Sequence, residues 1–178
     1  VTASTQLPLI VCFGDSLTAG YQTPGPANAH EQETPYGHVL QECLGHRGRV
    51  EISGICGEVT GEMVLRFRGT VLDRKPQMVI ILGGTNDLGW NADPAEIMRN
   101  LVKMYESARA ASIVPVPVTV PSIRVDAGAD HPDAAAWLAG HIQRRRQLNR
   151  LIADYAGRKG LSYFDLFTAT ADPDSLML

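Results

Sequence analysis

The feature that most constrains the fold of this chain is the regular alternation of short apolar runs with longer amphipathic segments. Short runs typical of β-strands cover residues 7–13, 49–53, 78–82, 114–120 and 161–166. Between them, apolar side chains recur at helical spacing, as Ile97, Leu101 and Met104 do. Strands that alternate with helices build a parallel sheet with helices on both faces. We therefore predict an α/β fold with a five-stranded parallel sheet, and a flavodoxin-like strand order fits the number of strands.

Local signals mark where several of these elements begin and end. Thr34 is predicted to cap a helix over residues 36–44, because it precedes a proline at the first helical position. Asp93 is predicted to cap a later helix in the same way. The fourth strand contains Pro115 and Pro117, and proline is unusual in a central strand because it cannot donate to the ladder. The two prolines predict irregular pairing or an edge position.

Length, charge and hydropathy exclude several classes of protein. The 178 residues suit one domain, predicted to span residues 1–178. A formal net charge of −3 gives no reason to expect nucleic-acid binding. No apolar stretch approaches the roughly 20 residues that cross a bilayer, so no transmembrane segment is predicted.

The number and spacing of the cysteines indicate whether the protein occupies a reducing or an oxidising compartment. Cys12, Cys43 and Cys56 are odd in number and include no C-x-x-C pair, which argues against a disulfide framework or a zinc site. We expect them to be buried, reduced thiols. Because the first residues also lack the basic and apolar regions of a signal peptide, the sequence favours a cytoplasmic location.

Small or polar residues follow three of the predicted strands. Ser16 comes after the first strand, Gly57 after the second and Asn86 after the third. The carboxyl ends of parallel strands share one edge of the sheet, where ligands bind in open α/β folds. A serine at this edge can attack a carbonyl carbon, while the Ser16 and Gly57 N–H groups and the Asn86 amide hold the negative oxygen. The pattern predicts acyl transfer with Ser16 as the nucleophile.

The residues around these three positions resemble the motifs of a known enzyme family. Residues 14–17, Gly-Asp-Ser-Leu, match the signature of the GDSL esterases and lipases, also called SGNH hydrolases. Gly57 matches the glycine of that family's second block, and residues 83–87, Gly-Gly-Thr-Asn-Asp, match its third. The resemblance implies a three-layer α/β/α sandwich that hydrolyses small-molecule esters or thioesters. It also implies that the protein uses no metal or organic cofactor.

One motif of this family is missing from the 178 residues. The resemblance implies an Asp-x-x-His after the fifth strand, whose histidine acts as the base for the serine. No Asp-x-x-His occurs, and all five histidines precede the fifth predicted strand. We expect the sequence to lack the C-terminal loop and helix of the domain, with the motif beyond Leu178. Alternatively, His131 replaces the missing base, or the protein is a catalytically inactive relative that binds a ligand.

Several of these residues also have simpler interpretations. Ser16 could cap the helix that follows it, and Asp15 could stabilise the turn rather than support catalysis. Trp90 could line an acyl pocket or pack in the core. The alternative function is a non-catalytic carbohydrate or lipid binder of the same fold. A nucleotide-binding protein is a more distant alternative, because no Gly-x-Gly-x-x-Gly or Walker pattern follows Gly83.

Overall fold

The computed structural model describes residues 7–24, 30–123 and 132–171, and for residues 132–135 it describes only the backbone. The strands in these ranges are β1 (Leu9–Gly14), β2 (Tyr21–Gln22), β3 (Gln32–Glu33), β4 (Arg49–Gly54), β5 (Met78–Leu82) and β6 (Val114–Pro117). The helices are α1 (Ser16–Ala19), α2 (Tyr36–Leu44), α3 (Thr60–Thr70), α4 (Thr85–Gly89), α5 (Pro94–Ala110), α6 (Pro132–Lys159) and α7 (Leu166–Thr170).

Four strands form one parallel sheet in the order β4-β1-β5-β6. In this sheet β1 lies between β4 and β5, which is the flavodoxin-like order. In this register Gly14, at the end of β1, lies beside Gly54 of β4 and Leu82 of β5. β2 and β3 form a separate antiparallel ribbon in the first long loop. The predicted α/β fold class is confirmed.

The prediction of a fifth strand at residues 161–166 is wrong. In the described part of the chain, this segment contributes a single parallel bridge between Val118 and Phe164. The Phe164 N–H donates to the Pro117 carbonyl oxygen at 3.0 Å, and the Thr119 N–H donates to the Phe164 carbonyl oxygen at 3.1 Å. The sheet therefore has four strands and a short extension rather than five strands.

The two prolines of β6 explain why the fifth strand does not form. The N–H groups of Val114 and Val118 face the side of β5. They donate to the carbonyl oxygens of Gln77, which precedes β5, and of Ile81 at 3.0 and 3.1 Å. Because backbone groups alternate along a strand, the nitrogens of Pro115 and Pro117 lie on the other side. Neither can donate a hydrogen bond, so that side of β6 lacks two ladder donors. The predicted edge position of this strand in the sheet is confirmed.

The hydrophobic core lies between one face of the sheet and the helices α3, α5 and α6. Its largest fully buried side chains include Phe13, Met63, Ile81, Ile97, Leu101, Met104, Tyr105, Leu148 and Ile152. The apolar stripe predicted for α5 faces this core. Asp93 caps α5 as predicted, since its carboxylate accepts a hydrogen bond from the Ala95 N–H at 2.7 Å.

α2 covers the opposite face of the sheet, where Gly37 approaches Cys12 and Ile52 closely. The predicted capping of α2 by Thr34 is wrong. Pro35 occupies the cap position, and the Thr34 hydroxyl instead accepts a hydrogen bond from Gln22 Nε2 at 2.6 Å. That bond ties the chain before α2 to the antiparallel ribbon.

The cysteines differ in environment. All three are free thiols, but only Cys12 is buried, whereas Cys43 and Cys56 are exposed. The predicted burial is therefore wrong for two of them, because the last turn of α2 and the loop after β4 face solvent. The cytoplasmic location stays a prediction. No helix in the described ranges is long and apolar enough to cross a bilayer.

Two glycines let the turn after β1 pack directly on the ends of the strands. A Cβ added to Gly54 would lie 2.2 Å from the Ala19 nitrogen and 2.6 Å from the Asp15 carbonyl oxygen. A Cβ added to Gly14 would lie 2.2 Å from the Leu82 carbonyl oxygen. These are backbone atoms that cannot move aside, so a side chain at either glycine would displace the segment that carries Ser16.

We expect Gly54→Ala to lower the free energy of unfolding by about 1–3 kcal/mol, because it overpacks a site bounded by backbone. Gly69→Ala is the matched control, since Gly69 lies on α3 with no atom within 4 Å of an added Cβ. The control should be neutral or stabilising by less than about 1 kcal/mol. Urea unfolding of both variants tests this, and equal stabilities for the two would contradict the tight packing of α1.

Candidate active site

Ser16 is the first residue of α1, and its environment leaves its hydroxyl free. The residue that caps α1 is Asp15, whose carboxylate accepts a hydrogen bond from the Leu17 N–H at 2.9 Å. The interpretation of Ser16 as the helix cap is therefore wrong. Ser16 is half-buried, and neither its hydroxyl nor its N–H is hydrogen-bonded to another described residue. Both groups are thus available to a ligand.

Gly57 lies in the exposed loop between β4 and α3. Its φ is +78°, a left-handed conformation in which a side chain would be strained. Its N–H makes no hydrogen bond within the described residues. The backbone N–H of Gly57 is therefore left free for a ligand within the described structure, with no side chain beside it.

Asn86 lies on α4 and is half-buried. Its side-chain Nδ2 donates one hydrogen bond, to the Glu58 carbonyl oxygen at 2.9 Å. An amide nitrogen carries two hydrogens, so the second is available to a ligand. The bond also joins α4 to the residue that follows Gly57.

The structure places the three predicted residues at one edge of the sheet. Ser16, Gly57 and Asn86 follow strands whose last residues pair with one another in register. The Ile55 N–H donates to the Gly14 carbonyl oxygen at 3.0 Å, which joins the loop of Gly57 to the turn of Ser16. The loop is therefore bonded to the segments that carry both other residues.

Asp87 fixes the far end of this loop, and its role is not evident from the sequence. Its buried carboxylate accepts hydrogen bonds from the Thr60 N–H at 3.0 Å and from the Thr60 hydroxyl at 2.6 Å. Asn100 Nδ2 donates to the same hydroxyl at 3.2 Å. The position of Asp87 directly after Asn86, and of Thr60 three residues after Gly57, is the signal that could have suggested this contact.

Asp15 is fully buried, and its Oδ2 has no hydrogen-bond partner in the described part of the chain. Burial raises the pKa of Asp15 to about 6, although the hydrogen bond from the Leu17 N–H opposes this increase. The negative charges of Asp87 and Glu58 raise the pKa further. Asp15 therefore stabilises the turn by capping α1, but its charge is unfavourable in the folded state.

The histidines do not supply an evident base. His131, the alternative base, lies outside the described residues. His141 is buried, stacks on Trp137 and lies with its Nε2 3.2 Å from Arg145 Nη2. Burial and the charge of Arg145 lower the pKa of His141. Across the described ranges, no group of three or more His, Cys, Asp and Glu side chains could hold a metal ion.

Large apolar side chains are exposed in the segments that carry the three predicted residues. Leu17 follows Ser16, Ile55 precedes Gly57, and Trp90 follows α4. Trp90 is 81% exposed, so the interpretation of it as a core residue is wrong.

Residues 12–177 match the family described as GDSL-like Lipase/Acylhydrolase. The uncharacterized lipoprotein YqeF of Bacillus subtilis (strain 168) is 31% identical over 132 residues, which cover 68% of this chain and 52% of that protein. An arylesterase of Vibrio mimicus is 31% identical over 124 residues, covering 67% of this chain and 58% of the arylesterase. The chain thus spans little more than half the length of these two relatives.

A solved structure shares the fold. The native aryl esterase of M. smegmatis aligns with a TM-score of 0.71 and 21% identity, over 89% of this chain and 83% of that one. At this identity the likeness concerns the fold alone. It confirms the α/β architecture expected from the resemblance in sequence.

We expect Asp15→Asn to raise the free energy of unfolding at pH 8 by up to roughly 3 kcal/mol, because the amide keeps the cap without a buried charge. The pKa of Asp15 is higher in the folded than in the unfolded state. The cost of its charge is therefore fully present above about pH 6 and disappears as the pH falls towards 4. Urea unfolding of both proteins at pH 8 and pH 4.5 measures this, and a pH-independent difference would contradict the raised pKa.

Proposed function

The chain belongs to the GDSL-like lipase/acylhydrolase family, and we propose that it is a serine hydrolase that cleaves carboxylic esters or thioesters. The observation that carries the proposal is the hydroxyl of Ser16, which makes no hydrogen bond to any described residue and lies at one sheet edge with two further donors that are free in the same sense. These donors are the N–H of Gly57 and one amide hydrogen of Asn86. A nucleophile beside donors for a negative oxygen is the arrangement that acyl transfer requires.

In the proposed reaction, Ser16 Oγ attacks the carbonyl carbon of the substrate and loses its proton to a general base. The negative oxygen of the tetrahedral intermediate accepts hydrogen bonds from the N–H groups of Ser16 and Gly57 and from Asn86. Collapse of the intermediate breaks the bond to the alcohol or thiol, which takes the proton from the base. Water then attacks the acyl-enzyme and gives up a proton to the base, and the base returns this proton to Ser16 Oγ as the bond to the acyl group breaks and the acid is released.

For the base we propose a histidine of an Asp-x-x-His motif beyond Leu178, which is the motif that the resemblance to the family implies. The aspartate of such a pair orients the imidazole and stabilises its protonated form. His131 is the alternative. His141 is a poor candidate, because it is buried and its Nε2 lies against the cation of Arg145.

We propose an ester with an apolar or aromatic group as the substrate. Leu17, Ile55 and Trp90 are exposed in the three segments that carry the proposed catalytic residues, and a substrate would cover their apolar surface. The relative from Vibrio mimicus is named an arylesterase, which agrees with this class. The loops over residues 20–34 and 121–132 are further candidates for substrate walls.

The alternative is a ligand-binding protein of the same family without catalysis. The observation in its favour is that no Asp-x-x-His occurs among the 178 residues. Such a protein would bind the carbohydrate or lipid but would lack a base for Ser16. Hydrolysis assays distinguish the two functions directly.

We expect Ser16→Ala to lower kcat for nitrophenyl acetate by at least about 10³-fold in the full natural chain, because the nucleophile is lost. Ser107→Ala on α5 is the control and should keep full activity. Full activity of Ser16→Ala would refute the nucleophile. If the wild-type protein does not hydrolyse any ester but binds one, the alternative function is correct.

We expect Asn86→Ala to lower kcat by about 10²–10³-fold, since one donor to the negative oxygen is lost. KM should change much less, because the donor acts mainly on the intermediate rather than on the bound ester. Steady-state kinetics with nitrophenyl acetate separate the two constants. A raised KM with unchanged kcat would mean that Asn86 binds substrate instead.

A further inference from the structure

One arginine bonds the end of the strand before Ser16 and residues on both sides of Gly57. Arg66 lies on α3, and its Nε and Nη2 donate to the two carboxylate oxygens of Glu58, each at 2.6 Å. The same Nη2 donates to the Gly14 carbonyl oxygen at 3.0 Å, and Nη1 donates to the Ser53 hydroxyl at 2.6 Å. One side chain thus joins the end of β1, the end of β4 and the loop after β4.

The guanidinium group is held in one place from several directions. Its central carbon lies 4.1 Å from the centre of the Phe13 ring, a cation–π arrangement. The Arg66 side chain is 18% exposed and that of Glu58 is 6% exposed. Because both charges are largely removed from water, each needs the other as its partner. Because the donors form a rigid planar fork, moving one acceptor disturbs the bonds to the others.

We infer that Arg66 is a positioning residue for the reaction, one that holds the loop of Gly57 at a fixed separation from the turn of Ser16. The inference rests on the proposed function of Ser16 as the nucleophile. Arg66 bonds Gly14, two residues before Ser16, and Glu58, the residue after Gly57. It binds no reacting atom and acts only on the geometry of the two segments.

The consequence for catalysis follows from how sensitive the reaction is to position. A donor to the negative oxygen is effective only when it is already in place, and a misplacement of about 1 Å costs about 10²-fold in rate. Glu58 also accepts the bond from Asn86 through its carbonyl oxygen. Movement of Glu58 would therefore displace the Gly57 N–H and the Asn86 amide together.

A second arginine, Arg74, provides a control, because it also pairs with a carboxylate. Arg74 donates to one carboxylate oxygen of Glu51 through Nε at 3.1 Å and Nη2 at 2.6 Å. Glu51 lies on β4, but neither residue contacts the loop of Gly57 or the turn of Ser16. Removing this pair removes a more exposed arginine–carboxylate pair without touching the candidate site.

The test uses Arg66→Met, Arg66→Lys and Arg74→Met in the full natural chain, assayed with nitrophenyl acetate. Active-site titration counts folded sites, so that kcat is expressed per competent site. Arg66→Met should lower this kcat by about 10–100-fold and change KM by less than about threefold. Arg66→Lys keeps the positive charge but not the planar set of donors, so its Tm should stay close to that of the wild type. Its kcat should still be at least about tenfold lower than the wild-type kcat. Arg74→Met should keep kcat within about twofold.

Wild-type kcat per site in Arg66→Lys would overturn the inference, as would an equal loss in Arg74→Met. If Arg66→Met does not fold, Arg66→Lys decides the result. Ser16→Ala is assayed in parallel. An active Ser16→Ala would refute the proposed function itself, whereas an inactive Ser16→Ala with fully active Arg66 variants would refute only the positioning role.

Discussion

A buried carboxylate must be paired or hydrogen-bonded, and three of them lie at the sheet edge that carries Ser16. Glu58 is paired with Arg66, and Asp87 accepts two hydrogen bonds from Thr60. Asp15 accepts one from the Leu17 N–H and keeps an unpartnered oxygen. Each of these contacts holds a segment next to a proposed catalytic residue. The buried carboxylates, whose charges are costly to remove from water, are thus the groups whose contacts hold this edge of the sheet in place.

The loop of Gly57 shows how these contacts affect function. Glu58 holds the loop to α3, and Thr60 holds the next turn to α4. Gly57 lies between β4 and these anchors and is exposed. Its backbone is left-handed, and its N–H makes no hydrogen bond in the described structure. Donors that are fixed before substrate binds need no reorganisation during the reaction, which is the main source of their catalytic value. A loop anchored at both ends suits that purpose.

Close packing provides the second constraint. Gly14 and Gly54 lie side by side, and the backbone of α1 and of its cap Asp15 packs directly on Gly54. This contact sets how near Ser16 can come to the loop after β4. Arg66 then joins the same two strand ends from the side of α3. The turn is consequently located by steric contact on one side and by hydrogen bonds on the other.

Local periodicity in the sequence is enough to predict the fold class, and the residues that follow each strand are enough to predict the positions of Ser16, Gly57 and Asn86. The strand order and the contacts that hold those positions depend on tertiary packing. Arg66 follows Glu58 by eight residues and lies on an amphipathic helix, where an arginine usually faces solvent. Its contacts with Gly14 and Ser53 exist only once β1, β4 and α3 have packed. The fifth strand does not form for a similar reason: an apolar run extends into a full strand only if its neighbour offers both donors and acceptors, and Pro115 and Pro117 of β6 offer no N–H donors.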